Sequence, residues 1–162
     1  MDFMNELIAI VENSAPDALA GLIVAFTGAF AAIAATALIR YLMTAIGYAK
    51  MYRKAGEAGW KAFIPVFNTY NNYKISWNGK LFFLYAALFI ASTALGAFAE
   101  GAMGLVTGAI SLAIVVLAVM QNIKMAKAFG KGAGTGIALI LFPGITSLIL
   151  GLGKAEYIAI AE

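Results

Sequence analysis

The chain contains no cysteine and no histidine. Disulfide frameworks, thiol nucleophiles, imidazole acid–base chemistry and the usual zinc or copper sites are therefore excluded from the start. Charge is scarce as well: 12% of the residues are charged and 63% are hydrophobic, where a soluble globular chain is about a quarter charged and about half apolar. Mean hydropathy is +0.90. That is the composition of a multipass membrane protein. No basic block suggests nucleic acid. No positive region precedes the first apolar stretch, where Asp2, Glu6 and Glu12 come first, so no cleaved signal peptide is expected. At 162 residues there is room for one compact unit rather than two soluble domains.

Proline is rare, and each of its three occurrences reads as a boundary. Residues 1–17 place Phe3, Met4, Leu7, Ile8 and Val11 on one helical face, an apolar run too short to span. They read as an amphipathic interfacial segment. Ser14 then caps a new helix with Pro16 in its first turn. Ala18 to Ile39 is 22 residues without a charge, about 33 Å as helix, enough to cross a hydrocarbon core of about 30 Å. That helix is expected to continue past Arg40 and Tyr48 toward Arg53, the lone Gly47 being tolerated. Leu81 to Ile123 is 43 residues interrupted only by Glu100. As one helix it would be about 65 Å long, so it must fold back, with Glu100, Gly101 and Gly104 as the turn. Gly132 to Gly153 is the fourth span, with a kink or local break at Pro143-Gly144.

Charge placement orients these spans. Arg40, Lys50, Arg53, Lys54, Lys61, Lys74 and Lys80 flank the first polar loop, and Lys124, Lys127 and Lys131 the second. Opposite them fall the acidic amino terminus, Glu100, the tail with Glu156 and Glu162, and one lysine, Lys154. The positive-inside rule then puts both termini outside and the basic loops in the cytoplasm. The expected fold is all-α and integral to the membrane, with four transmembrane helices. Residues 1–17 are interfacial, residues 18–157 form the transmembrane domain with a cytoplasmic loop at 49–80, and residues 158–162 are a short tail. Lys50-Met51, Arg53 and Gly56 echo Lys124-Met125, Lys127 and Gly130 at equal spacing. Two readings stay open, a parallel repeat about an axis along the membrane normal, and ordinary basic helix ends with glycine caps.

The polar and aromatic loop at 50–78 holds both tryptophans. Trp60, Phe63, Ile64 and Phe67 fall on one helical face, with Lys61 off it. That face is either an interfacial anchor or a docking face for lipid or a partner, and Pro65 ends or bends the helix. Lys124, Lys127 and Lys131 beside the Gly130–Gly136 run lack the order of a phosphate loop, because Lys131 precedes most of the glycines. A helix cap followed by a tight turn explains the glycines, and binding of anionic lipid headgroups is the alternative reading of the lysines. Together with Arg53 and Lys54 these are the expected lipid or partner contacts. Gly104 and Gly108, with Ala87 and Ala91, are the expected helix-packing positions, either within the chain or between copies. Asn68, Thr69, Asn71, Asn72 and Asn78 either line a vestibule or cap helices.

Lys54-Ala55-Gly56-Glu57-Ala58-Gly59-Trp60-Lys61-Ala62-Phe63-Ile64-Pro65, Ala126-Lys127-Ala128-Phe129-Gly130-Lys131-Gly132 and Leu150-Gly151-Leu152-Gly153-Lys154-Ala155-Glu156-Tyr157 carry a resemblance over about residues 35–157. The chain resembles a family of small bacterial multipass membrane proteins classed as a domain of unknown function, whose members are often labelled signal peptidase I. The resemblance implies a four-helix membrane unit and no established activity. Signal peptidase chemistry requires a serine and a lysine within hydrogen-bond reach at the outer surface. Of Ser14, Ser76, Ser92, Ser111 and Ser147, only Ser147 shares the outer half of a helix with a lysine, Lys154, seven residues away. We therefore expect no enzyme, no cofactor and no metal. No Asp, Glu, Lys or Arg lies at mid-span, which argues against a coupled transporter. The expected function is a non-enzymatic, self-associating structural or accessory component of the bacterial cytoplasmic membrane. Its partners are membrane lipids and copies of itself or another membrane protein. The alternative is an oligomeric channel or small-solute permease lined by hydroxyls and loop asparagines.

Overall fold

A computed structural model of the chain describes residues 2–98 and 100–158, leaving the side chains of residues 10–15 aside. The fold is all-α, without strands among the described residues. Two compact units divide it, Met1–Arg40 and Tyr41–Glu162.

Helix α1, Asp2–Lys54, supplies the whole of the first unit and the opening of the second. The break expected near Ser14–Asp17 does not form. Pro16 lies inside the helix, where its ring removes one backbone hydrogen bond without stopping the chain. The Ser14 cap falls among the side chains that are not described. Residues 16–40 are exposed along their whole length. Their threonines turn inward on the backbone, Thr27 Oγ1 donating to the Ile23 carbonyl and Thr36 Oγ1 to that of Ala32, both at 2.8 Å. Such back-bonding leaves an apolar helix surface with no hydroxyl donor to spare.

The second unit contains the carboxyl-terminal end of α1, a 3₁₀ turn at Gly59–Phe63, α2 (Pro65–Ser76), α3 (Lys80–Gly96), α4 (Ala102–Ala128), α5 (Ala133–Leu141) and α6 (Pro143–Leu152). Helices α3 and α4 form the expected hairpin, with Gly101 at φ +55° in the turn. Ser92 and Ser111 meet across it at 3.2 Å. Helix α3 has no buried residue, and the buried residues of α4 begin at Gln121. The core therefore lies at one end of the unit. Tyr48, Met51, Tyr52, Met125, Phe129, Leu139 and Leu150 fill it.

The last apolar stretch is not one span. It breaks at Phe142, just before Pro143, and the chain then reverses. Helix α5 runs back along α4, where a Cβ on Gly136 would stand 2.6 Å from Ile123 Cα. Helix α6 climbs parallel to α1. A Cβ on Gly47 would meet Leu148 N at 2.6 Å, and one on Gly151 would meet the Gly47 carbonyl at 2.5 Å. The Thr146 hydroxyl reaches the Ala138 carbonyl at 3.0 Å. In a straight helix eight residues span about 12 Å, so this bond measures the reversal. The chain after α6 then returns to the ends of α4 and α2: Ile158 N–H donates to the Ala128 carbonyl at 2.7 Å, and Tyr157 OH to the Ile75 carbonyl at 2.9 Å. This corrects the fourth span and the placement of Lys154 and the carboxyl-terminal segment opposite the basic loops.

The loop at 50–78 has the same design. Gly56 (φ +77°) turns the chain out of α1 as Gly130 (φ +67°) turns it out of α4, conformations open to glycine at little cost. The 3₁₀ turn runs back along α1, from Gly59 beside Ala49 to the Phe63 carbonyl, which accepts the Tyr41 hydroxyl. Pro65 starts the ascending helix α2, as Pro143 starts α6. The segments align as Phe63-Ile64-Pro65-Val66-Phe67-Asn68-Thr69 and Leu141-Phe142-Pro143-Gly144-Ile145-Thr146-Ser147. The echo at Lys50 and Lys124 thus extends into two hairpins of like form, each hung from the end of a long helix.

Candidate functional site at the basic end

One face of α2 is polar and half-buried. Asn68, Asn72 and Ser76 recur at intervals of four, which stacks them on one side of the helix. Tyr52, fully buried on α1, places its hydroxyl against both amide oxygens, 2.8 Å from Asn72 Oδ1. Asn72 Nδ2 reaches Asn68 Oδ1 at 3.4 Å, the Ser76 hydroxyl donates to the Asn72 carbonyl, and Gln121 Nε2 of α4 reaches Ser76 Oγ at 3.3 Å. A seam of amides and hydroxyls therefore ties α1, α2 and α4 together. Asn71, beside it on α2, is fully buried with neither amide atom bonded among the described residues. Leaving such a group unpaired costs on the order of 1–3 kcal/mol.

Above the seam lies a belt of cations. Lys54 Nζ donates to three carbonyls, Leu150 at 2.8 Å, Gly153 at 2.7 Å and Ala155 at 2.8 Å. Its three N–H bonds close the end of α6, where the backbone carbonyls lack helical partners and the dipole favours a cation. Glu57 accepts from Lys61 at 2.6 Å and from Lys74. Those hydrogen bonds, Lys61 first, hold its carboxyl below the ordinary value. Lys124 sits 5.4 Å from the Trp77 ring centre, within cation–π range. Asn78 caps α3 by accepting from Lys80 N–H at 2.9 Å.

The structure sorts the residues singled out from the sequence. Arg53, Lys127 and Lys131 are exposed at the basic end. Lys54 and Lys61 are occupied as described, so they hold the fold together at this face. Trp60, Phe63 and Phe67 are exposed and close to one another, with the Trp60 and Phe67 rings 5.5 Å apart and edge-on. They sit on two elements, however, because the expected single helix is interrupted at Ile64. The packing role expected of Gly108 within the chain is not found: a Cβ there would meet nothing within 4 Å. Ala87 is exposed, while Gly104 and Ala91 are half-buried. Close approach falls instead to Gly47, Gly136 and Gly151. Ser147 and Lys154 do not form a dyad. Ser147 is fully buried with its hydroxyl 3.1 Å from the Gly144 carbonyl, and Lys154 is exposed beyond the end of α6.

Tyr52, Gln121 and Ser76 were missed from the sequence. The i, i+4, i+8 spacing of Asn68, Asn72 and Ser76 was the available signal. Beside the hairpin, an apolar groove of about 420 Å³ opens between α2 and α3, lined by Pro65, Val66, Phe82, Tyr85 and Phe89 among others.

Residues 60–159 match a family described as a family of unknown function (DUF5684). The chain belongs to that family. The match takes in α2 to α6 and the carboxyl-terminal return, and so holds the seam residues of α2 and α4 but not Tyr52 of α1. A search of curated proteins found no match, and neither did a search of solved structures.

Proposed function

We propose that this DUF5684 protein is a non-enzymatic integral protein of the bacterial cytoplasmic membrane, acting as a structural or accessory component through association with copies of itself or a membrane partner. Helices α1, α3 and α4 cross the bilayer, and the two hairpins enter and leave at the basic end, which faces the cytoplasm. Pro16–Lys54 and Ala102–Ala128 are each long and apolar enough to cross. Helix α3, at 17 residues, is about 25 Å long and crosses with the help of its turn. The return of residues 153–158 to the basic end carries this reading. It gathers Lys154 with the other basic residues of residues 41–162 and leaves Glu100 at the far end, which the positive-inside rule favours.

Association is supported by the uncovered helix at residues 16–40, where Gly21, Ala25, Gly28 and Ala32 leave room for a second backbone. A Cβ at Gly21 or Gly28 would meet nothing within 4 Å. In lipid nanodiscs under mild purification, the protein should run as a complex larger than its 17.0 kDa chain, or retain a membrane partner. A strictly monomeric, partner-free species contradicts the proposal.

The unbonded Asn71 amide beside the seam favours a second reading, an oligomeric channel or small-solute permease. Solute flux through proteoliposomes of the same preparation supports that reading, and an impermeable bilayer at high protein load removes it. The in-span hydroxyls weigh against a hydroxyl-lined pore, since Thr93 and Thr107 also donate to their own helices, at 2.8 and 3.0 Å.

A further inference from the structure

The turning backbone at each hairpin tip finds partners within the protein. Backbone that leaves the helix inside a bilayer must find its partners within the protein, because no water is there to supply them. At the first tip the Phe63 carbonyl accepts from Tyr41 OH, Ile64 N–H donates to the Lys61 carbonyl at 3.4 Å, and the Ile64 carbonyl accepts from Asn68 N–H at 2.8 Å. At the second, Phe142 N–H donates to the Ala138 carbonyl at 2.8 Å, and the Phe142 carbonyl accepts from Thr146 N–H at 3.0 Å. The side chains at both tips point outward and are apolar. Val66 is 65% exposed, and Leu141 and Phe142 are each 61% exposed.

The tips are also deep. Phe63 lies level with Tyr41, 13 residues before the end of α1, or about 20 Å along the helix. Helices α5 and α6, of 9 and 10 residues, reach about 14–15 Å. Both hairpins thus end within a hydrocarbon core of about 30 Å and return to the cationic rim from which they started. In the half of the second unit nearest that rim, the 3₁₀ turn, α2, α5 and α6 stand beside α3, α4 and the end of α1. In the other half, α3 and α4 continue with no buried residue of α3 and none of α4 before Gln121. Four added segments, each about 10 Å across, contribute on the order of 300 Å² to one leaflet.

We propose that the paired hairpins make the second unit a one-leaflet wedge, whose partner is an anionic lipid surface curved convexly on the side of the basic end. This rests on the membrane topology proposed above. Area added to one leaflet favours convex curvature of that leaflet, and the cationic rim sets which leaflet it is when that leaflet carries phosphatidylglycerol. The protein therefore concentrates where the membrane bulges toward its basic face, and at high density drives that bulge.

The absence of cysteine makes the test direct. Three single-cysteine forms, Lys127→Cys, Lys154→Cys and Glu100→Cys, replace exposed residues. Each is reconstituted into phosphatidylcholine–phosphatidylglycerol vesicles of about 30 nm and about 400 nm diameter. An impermeant maleimide then scores which residues face outward. The ratio of outward Lys127→Cys to outward Glu100→Cys should rise about threefold in the small vesicles, with Lys154→Cys following Lys127→Cys. A ratio independent of vesicle size, with Lys127→Cys and Lys154→Cys still labelled together, overturns the wedge and leaves the topology standing. Opposite labelling of those two positions overturns the topology itself, and the wedge with it.

Discussion

Replacing Gly47 with leucine should lower the melting temperature of the solubilised protein by about 10 °C. The position lies where α1 and α6 touch backbone to backbone, with room for no side chain on either helix. A Cβ at Gly47 would stand 2.6 Å from Leu148 N, and one at Gly151 would stand 2.5 Å from the Gly47 carbonyl. Flexible side chains can yield to an intruding methyl group, but two helix backbones can only move apart. Overpacking costs typically 1–3 kcal/mol and more where the backbone must shift. A loss of about 3 kcal/mol lowers the melting temperature of a chain this size by about 10 °C. Light-scattering-checked thermal unfolding in detergent, monitored by circular dichroism, measures it. Gly28→Leu, on the exposed part of α1 where a Cβ meets nothing within 4 Å, should leave the monomer's melting temperature unchanged.

Lys54→Met should destabilise by a comparable amount for a different reason. Methionine keeps the length of the apolar stem and removes the donors, leaving the Leu150, Gly153 and Ala155 carbonyls without the ammonium that now joins them. A charged hydrogen bond contributes about 1.5–3 kcal/mol. A total near 3 kcal/mol is expected, because carbonyls at the edge of the unit recover water. Limited proteolysis should show the effect locally, with cleavage after Lys154 appearing before any cleavage within α4. Lys127→Met removes an exposed charge of the same belt and should leave both readouts unchanged.

Much of the fold was legible because single residues decide it. Forty-three residues whose only charge is Glu100 exceed any bilayer as one helix and force the α3–α4 hairpin. Pro143 cannot bond to Leu139, which marks where the last apolar stretch could break, and it does break there, at Phe142. What proline does not encode is the angle of the break. The reversal is fixed by contacts about a hundred residues apart, Gly47 with Gly151 and Lys54 with the α6 carbonyls, and Gly47 looked in sequence like a tolerated weak point. The same blindness hid the first hairpin, since Pro65 reads as an end rather than a turning point. Pro16 misled in the opposite direction: it resembles a helix start, yet one lost hydrogen bond does not stop α1. The seam was half visible. Its asparagines stood out, but the spacing that stacks them on one helical face was read as loop chemistry, and Tyr52 lies 16 and 20 residues from the amides it joins. Gly108 shows that a small-residue position need not be a close contact within the chain, since a Cβ there would meet nothing within 4 Å.

The central claim is that the chain folds back after α5, so that residues 153–158 share the basic end with Gly130 and Ile75. The sidedness of Lys154→Cys in intact and permeabilised cells, with Lys127→Cys and Glu100→Cys as references, tests it most directly. Lys154→Cys should resist an impermeant maleimide in intact cells and react once the membrane is opened, as Lys127→Cys does, while Glu100→Cys reacts in both. Labelling of Lys154→Cys in intact cells alongside Glu100→Cys would contradict the fold-back and restore a fourth crossing.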